Sequence, residues 1–155
     1  MTEKNNGFEE FVSKSIPYGN LSQGAQFHEL VVPADKLHDA AETLKNYKEQ
    51  PFDFLISLTA VDHLTKFTVV YHLESTLSHK LIVVKADLED RDKPGIDTVS
   101  DLWVTAEFHE REVFDLFGIH FNHHPDMRRL FLEDDYGFPL RKDFRDDVNI
   151  IEYNN

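Results

Sequence analysis

The sequence predicts an α+β domain: helices packed on a mostly antiparallel (mixed) sheet, with an extended C-terminal arm. Three observations carry this. Two stretches, 37–47 and 101–117, repeat apolar residues at helical spacing. Three β-rich segments between 52 and 86 are separated only by short turn-like gaps, which fits antiparallel neighbours. From 119 onward no period is sustained, and the chain is dense in charge, aromatics, proline and glycine. At 155 residues it has the size of one domain, and 41% hydrophobic content is enough for a core. The expected division is an N-terminal segment 1–24, a core 25–118 and an arm 119–155 that docks on a partner subunit.

Phe8, Phe11 and Val12 share one face of a short helix around Phe8–Ser13, which Pro17-Tyr18-Gly19-Asn20 breaks. Ala25–Val32 reads as a strand through Phe27, Leu30, Val31 and Val32. Pro33-Ala34-Asp35 opens a helix of about three or four turns. Its stripe is Leu37, Ala40, Ala41, Leu44 and Tyr47, and Pro51 stops it. Phe52–Val61 sets Phe54, Ile56, Leu58 and Ala60 in alternation. Phe67–Leu73 and Lys80–Ala86 are apolar nearly throughout, as central strands are when a helix covers one face and the other is partly covered. Leu88–Asp97 reads as a loop, and Ser100 as the cap of a second long helix, Asp101 to Phe117, ended by Gly118.

Charge and composition exclude several functions. Lys and Arg total 16 against 29 Asp and Glu, a net charge of −13. Nucleic acid and anionic membrane surfaces both need a positive field, so neither is an expected partner. There is no cysteine, which removes disulfides, thiolate-held iron–sulfur clusters and a Cys nucleophile, and fits a reducing compartment. No apolar run approaches the ~20 residues that span a bilayer, and MTEKNNGFEEFVSK lacks the pattern of a signal peptide. A cytoplasmic protein that meets a membrane only through partners is the expectation.

On a wheel of the second helix, Leu102, Ala106, Val113, Leu116 and Phe117 gather on one side, with His109 among them. Glu107, Arg111 and Asp115 lie roughly opposite with two i,i+4 contacts between them, and Glu107 and Arg111 read as ordinary surface pairs. Glu110 falls at the flank of the apolar stripe, where a carboxylate must find a cation or several donors. The arm carries Arg128, Arg129, Arg141 and Lys142. Glu110, with Glu112 or Asp115, is therefore expected to anchor the arm through an arginine fork.

Catalytic signals are weak. His120, His123 and His124 cluster, but His109-Glu110-Arg111-Glu112-Val113 fails the H-E-x-x-H pattern at its last position. A stand-alone metal hydrolase using these histidines is the alternative of a different class. Glu133-Asp134-Asp135-Tyr136-Gly137 lacks the ligand alternation of a calcium loop. No nucleophile elbow, P-loop or dinucleotide fingerprint occurs. No catalytic, cofactor-binding or metal-ligating residue is assigned, and the pattern reads as a binding or scaffold domain.

Three blocks then resemble a known family. They are Glu110-Arg111-Glu112-x-x-Asp115-x-Phe117-Gly118-Ile119, His124-Pro125-Asp126-x-Arg128-Arg129, and Pro139-Leu140-Arg141-Lys142-Asp143. In this order and spacing they resemble the C-type subunit of the proton-pumping NADH–quinone oxidoreductase, respiratory complex I. Leu58-Thr59-Ala60-Val61-Asp62 and Val70-Tyr71-His72-Leu73 look like the family's central strands, so the likeness spans about 25–145. It implies a peripheral-arm subunit without flavin or iron–sulfur cluster. Such a subunit packs beside the quinone-binding D-type subunit and the cluster-bearing B-type subunit, at the cytoplasmic face of a bacterial inner membrane. Similar blocks occur in the equivalent subunits of membrane-bound hydrogenases and of ferredoxin- or F420-linked dehydrogenases. The chain departs from the family in three places. His123 stands where Gly is frequent, Phe108 replaces a common Trp in what reads as the same apolar role, and Arg145 replaces Pro. If the turn at His123 needs a positive φ, that residue must adopt it at some cost.

Overall fold

A computed structural model describes residues 3–146, with side chains from Gly7 onward. The last part of the expected arm, 147–155, lies outside the described residues. The architecture is α+β, with helices on a mixed, mostly antiparallel five-stranded sheet.

Helix α1, Glu3–Ser15, is longer than the short helix expected, and drives Phe8, Val12 and then Ile16 into the core. Strand β1, Asn20–Gln23, occupies what reads in the sequence as a break and pairs antiparallel with β2, His28–Pro33. The expected strand at Ala25–Val32 thus begins three residues late, and a turn joins it to a strand the sequence does not announce. A single 3₁₀ turn at Ala34–Lys36 precedes α2, Leu37–Lys45, which buries Leu37, Ala40, Ala41 and Leu44. Tyr47, just past its end, stacks on Phe11 with ring centroids 3.8 Å apart.

Strands β3 (Phe54–Asp62), β4 (Phe67–Ser75) and β5 (Lys80–Leu88) form consecutive antiparallel pairs. β5 also pairs parallel with β2, so the order is β1-β2-β5-β4-β3. Phe67, Val69, Tyr71 and Leu73 stand opposite Leu88, Ala86, Val84 and Ile82, and all eight point into one core with the helices. On the other face Thr68, Val70 and Val83 are also nearly buried, as near-continuous apolar runs require.

The alternation in β3 breaks. A register shift between Leu55 and Ser57 inserts one residue, so Leu55, Leu58, Ala60 and Asp62 face the core while Phe54 and Ile56 face solvent. A one-residue bulge flips every side chain on one side of it. Asp62 is carried inward with them.

The region read as a loop before the last helix contains a short strand, β6, Gly95–Asp97. It pairs parallel with β7, His120–Asn122, at the start of the expected arm. Helix α3 runs from Ala106 to Phe117, five residues shorter than expected at its start. Ser100 is no cap: the Leu102 and Trp103 N–H groups both return to Val99 O, closing a separate turn that buries Trp103. Among the described residues no helix is long and apolar enough to cross a membrane.

Candidate functional site

The motif residues converge where α3 ends and the arm crosses it. The last four carbonyls of a helix have no partner within the helix and carry its negative dipole end. Here each one is satisfied. Gly118 N–H donates to Phe114 O at 2.8 Å, and Arg129 Nη1 to Asp115 O at 2.7 Å. Leu140 N–H donates to Leu116 O at 3.0 Å, and Arg141 Nε to Phe117 O at 2.6 Å. Three of the four donors come from the arm, two of them cationic where the dipole favours cations.

Asp115 is the centre of this clasp. Its side chain is fully buried, and its carboxylate accepts the N–H groups of Phe131 (2.7 Å) and Leu132 (3.1 Å) and the guanidinium of Arg129 (3.2 Å). Burial opposes its charge, but these donors outweigh burial and hold its pKa below the ordinary value. Asp115 therefore fulfils the expected arm-to-helix pairing through Arg129, and it is not on the solvated face where the wheel places it.

Glu110 departs from expectation. It is fully buried, but no arginine among the described residues pairs with it. Its carboxylate accepts the Thr98 hydroxyl at 2.5 Å and the Val99 N–H at 2.8 Å, so it ties the 98–100 turn to α3. The nearest cationic candidate is the buried His124 imidazole, 3.8 Å away. His124 Nδ1 accepts the Asp126 N–H at 2.9 Å, which leaves Nε2 to donate to Glu107 O at 3.0 Å. Burial pushes Glu110 up to about 7 against the weaker pull of its two donors. The arm's wealth of arginine makes an arginine partner the natural expectation; the arm instead crosses α3 nearer its C-terminus.

The other motif residues divide between arm and surface. Arg111 is no surface pair: its guanidinium donates to the carbonyls of Arg128 (3.3 Å) and Arg129 (2.9 Å) and so holds the arm's backbone. Arg128 itself is exposed and pairs with Asp126 at 2.9 Å. Among the described residues none hydrogen bonds to the half-buried Glu112 side chain. Gly118 has φ +74°, and a Cβ there would lie 2.6 Å from the Phe138 ring. Pro139 follows Phe138, against whose ring Arg129 and Arg141 stack at 4.8 and 4.9 Å. Pro125 lines an open cleft beside the buried Glu110, and His123 at its rim adopts φ +65°, the positive φ on which its departure from the family turns.

Two anchors escape a reading of the sequence. Asp62, at the inward end of β3, accepts the Lys142 N–H at 2.9 Å, the Leu64 N–H at 2.7 Å and a short contact from Arg91. Arg91 also reaches Asp143 at 3.1 Å and lies over the Phe67 ring at 4.6 Å. Burial resists the charge of Asp62, yet Arg91 and the two N–H groups hold its pKa down at about 2. The signal that could have found it is parity: Asp62 continues the alternation of Leu58 and Ala60 onto the core face.

The histidines do not converge. His120 is exposed and edges onto Phe114, His123 is exposed, and His124 is spent on backbone. Among the described residues no three His, Asp or Glu side chains are placed to hold a metal ion.

The chain is similar to known proteins over most of its length. Residues 30–148 match the family described as "Respiratory-chain NADH dehydrogenase, 30 Kd subunit". The chain is 49% identical over 126 residues to the C/D-type subunit of an NADH-quinone oxidoreductase from Phocaeicola vulgatus, covering 80% of this chain and 24% of that one. It therefore spans about a quarter of the length of such C/D-type relatives. It is 40% identical over 141 residues to the C-type subunit of the NADH-quinone oxidoreductase of Moorella thermoacetica, covering 89% and 93% of the two chains. Among solved structures, a chain of the membrane-bound sulfane sulfur reductase, an archaeal respiratory membrane complex, superposes with TM-score 0.79 and 31% identity over 92% of this chain and 86% of that one. With more than half of its length matched, the chain belongs to the family of the 30-kDa subunit of the respiratory-chain NADH dehydrogenase.

Proposed function

We propose that the chain is a non-redox structural subunit of NADH–quinone oxidoreductase. It packs against the quinone-binding D-type subunit and the cluster-bearing B-type subunit. It thereby supports electron transfer from NADH to quinone coupled to proton translocation. It holds no flavin or cluster of its own and lies peripherally, at the cytoplasmic face of the membrane.

One observation carries this reading. The half-buried motif arginines Arg129 and Arg141 are spent on the chain's own helix end and carboxylate, not on a cavity with a nucleophile beside it. A motif used to fix the course of an arm serves assembly. The C/D-type relatives, in which the matched stretch is about a quarter of the polypeptide, support a D-type neighbour.

A second reading has a specific observation behind it. The fold likeness to a sulfane sulfur reductase chain favours the equivalent subunit of a related respiratory complex with another electron donor or acceptor.

Affinity capture of the tagged full chain from membranes, followed by identification of co-purifying chains, separates them. NADH-binding flavoprotein subunits together with D- and B-type subunits are the expected result. Nickel-ligating cysteines in the large partner would favour a hydrogenase-like relative. A chain recovered alone and turning over a substrate unaided would overturn both.

A further inference from the structure

Glu110 is sealed from water, and a short path of hydroxyls leads out from it. Its Oε1 accepts the Val99 N–H at 2.8 Å, and its Oε2 lies 2.5 Å from Thr98 Oγ1. Thr98 Oγ1 in turn lies 2.8 Å from Ser100 Oγ and accepts the Ser100 N–H at 3.1 Å. Thr98 and Ser100 are themselves buried, and both line an open cleft of about 500 Å³ together with Asp97, Asp101 and Glu107.

A hydroxyl has one hydrogen and two lone pairs. On Thr98 the Ser100 N–H occupies one lone pair. One hydrogen and one lone pair remain for two oxygen neighbours, so the two bonds run in the same direction. Either Ser100 donates to Thr98 and Thr98 to Glu110, or Glu110 donates to Thr98 and Thr98 to Ser100. The first direction needs an ionised carboxylate, and the second a proton on Oε2. In both, every bonding position of Thr98 Oγ1 is filled. Ser100 Oγ, bonded to Thr98 and lining the cleft, is the end that water can reach.

Among the described residues, the titratable groups around Glu110 give no second route. The His124 imidazole of the arm is 3.8 Å away, but its Nδ1 accepts the Asp126 N–H and its Nε2 donates to Glu107 O. Tyr71 of β4 is fully buried, and desolvation with the nearby Glu110 charge holds its hydroxyl well above the ordinary range. Asp101 in the preceding turn and Glu107 on α3 itself add to burial in disfavouring the Glu110 charge. Asp101 is paired with His38 of α2 at 2.9 Å, and Asp97 and His123 line the cleft beyond it.

We propose that Thr98 and Ser100 form a two-hydroxyl relay that carries a proton between the buried Glu110 carboxyl and water in the cleft. To load the carboxylate, a hydronium ion in the cleft gives a proton to Ser100 Oγ, Ser100 gives its own to Thr98 Oγ1, and Thr98 gives its own to Glu110 Oε2. Each hydroxyl gains one O–H bond and loses one, water is left behind, and the carboxyl ends neutral. The reversal marks the surface. With Glu110 ionised the Ser100 hydrogen points inward, and with Glu110 protonated it points into the cleft. The acid-lined face thus gains a hydrogen-bond donor as pH falls through about 7.

The test is a pH jump on the full chain, from about pH 8 to about pH 6, either side of the Glu110 midpoint of about 7. The readout is the protonated-carboxyl infrared band that Glu110→Gln removes. Thr98→Val keeps the side-chain shape without the inner hydroxyl, and Ser100→Ala removes the outer one. In each the band should grow at least about fivefold more slowly than in wild type, and Thr98→Ser, which keeps a hydroxyl, should stay within about twofold. A smaller slowing in either variant means that the carboxyl meets water by local opening of the fold, and overturns the relay. Slowing in Thr98→Ser as large as in Thr98→Val makes Thr98 a packing residue and overturns it too, as does a wild-type chain without such a band. Ser100→Ala is the milder change and decides the matter even where Thr98→Val does not fold.

Discussion

Two buried carboxylates on α3, Glu110 and Asp115, sit five residues apart and behave oppositely because their partners differ. Asp115 has an arginine and two N–H donors and is held ionised, whereas Glu110 has one hydroxyl and one N–H and is held near neutrality. Asp115→Ala strips Arg129 and two arm N–H groups of their acceptor. It is expected to cost about 3–5 kcal/mol in chemical denaturation of the full chain, as for other broken buried pairs. Glu110 carries a pH signature. Its folded pKa of about 7 lies above the ordinary 4.5, so the folded state holds the proton more tightly. Its stabilising contribution is complete below about pH 4.5 and is lost as pH rises through 7, by about 3 kcal/mol at most. Denaturation midpoints measured from pH 5 to 8 should fall in wild type and flatten in Glu110→Gln. Equal slopes in the two proteins would place the carboxylate in another environment. The sequence makes Glu110 conspicuous, because charge beside an apolar stripe needs a partner. It cannot name that partner, since Thr98 and Val99 come from a turn whose closure on Val99 O has no side-chain signature.

At the scale of elements, the periodic segments are legible and their ends are not. Hydrophobic spacing in α2 and in β4 and β5 follows directly from one buried face, so it survives in the sequence. The start of α3 does not, because Ser100 is a good cap by type and Thr105 precedes the real first turn without any side-chain cap bond. β6 and β7 are three residues each and pair across the whole of α3, a long-range parallel contact that local pattern cannot carry. The glycine at the end of α3 is legible, and it has two roles. Gly118 adopts φ +74°, and its missing Cβ makes room for Phe138. Gly118→Ala therefore combines left-handed strain with a clash against an aromatic ring, for an expected loss of about 2–4 kcal/mol. Because Phe138 seats the arm, limited trypsin digestion should cut earlier at Arg128, Arg129 and Arg141 in the variant. An unchanged digestion pattern would mean that the ring shifts without releasing the arm.

For the whole molecule, the excess of 13 negative charges works against compactness, while the contacts that hold the arm are mostly out of water. These two respond differently to salt. Repulsion among exposed carboxylates is screened beyond about 10 Å at 0.1 M ionic strength, so salt relieves it. The pairs Asp115–Arg129 and Asp62–Arg91 are nearly inaccessible to solvent and are screened much less. Moving the full chain from ~0.02 M to ~0.5 M sodium chloride should therefore raise its melting temperature by a few degrees, on the order of 1 kcal/mol. Acid tests the same balance from the other side. Asp62, with its pKa held down at about 2, contributes stability that is complete above the ordinary 3.8 and is lost as pH falls through 2. Asp115 loses its share in the same direction. The arm should let go at low pH while the sheet core, held by apolar contacts, persists. Trypsin is inactive there, so pepsin digestion near pH 2 followed by mass spectrometry is the measurement. First cuts at arm residues such as Phe131, Leu132 and Leu140 are the expected outcome, and first cuts within β4 or β5 would show that the arm is not the acid-labile part.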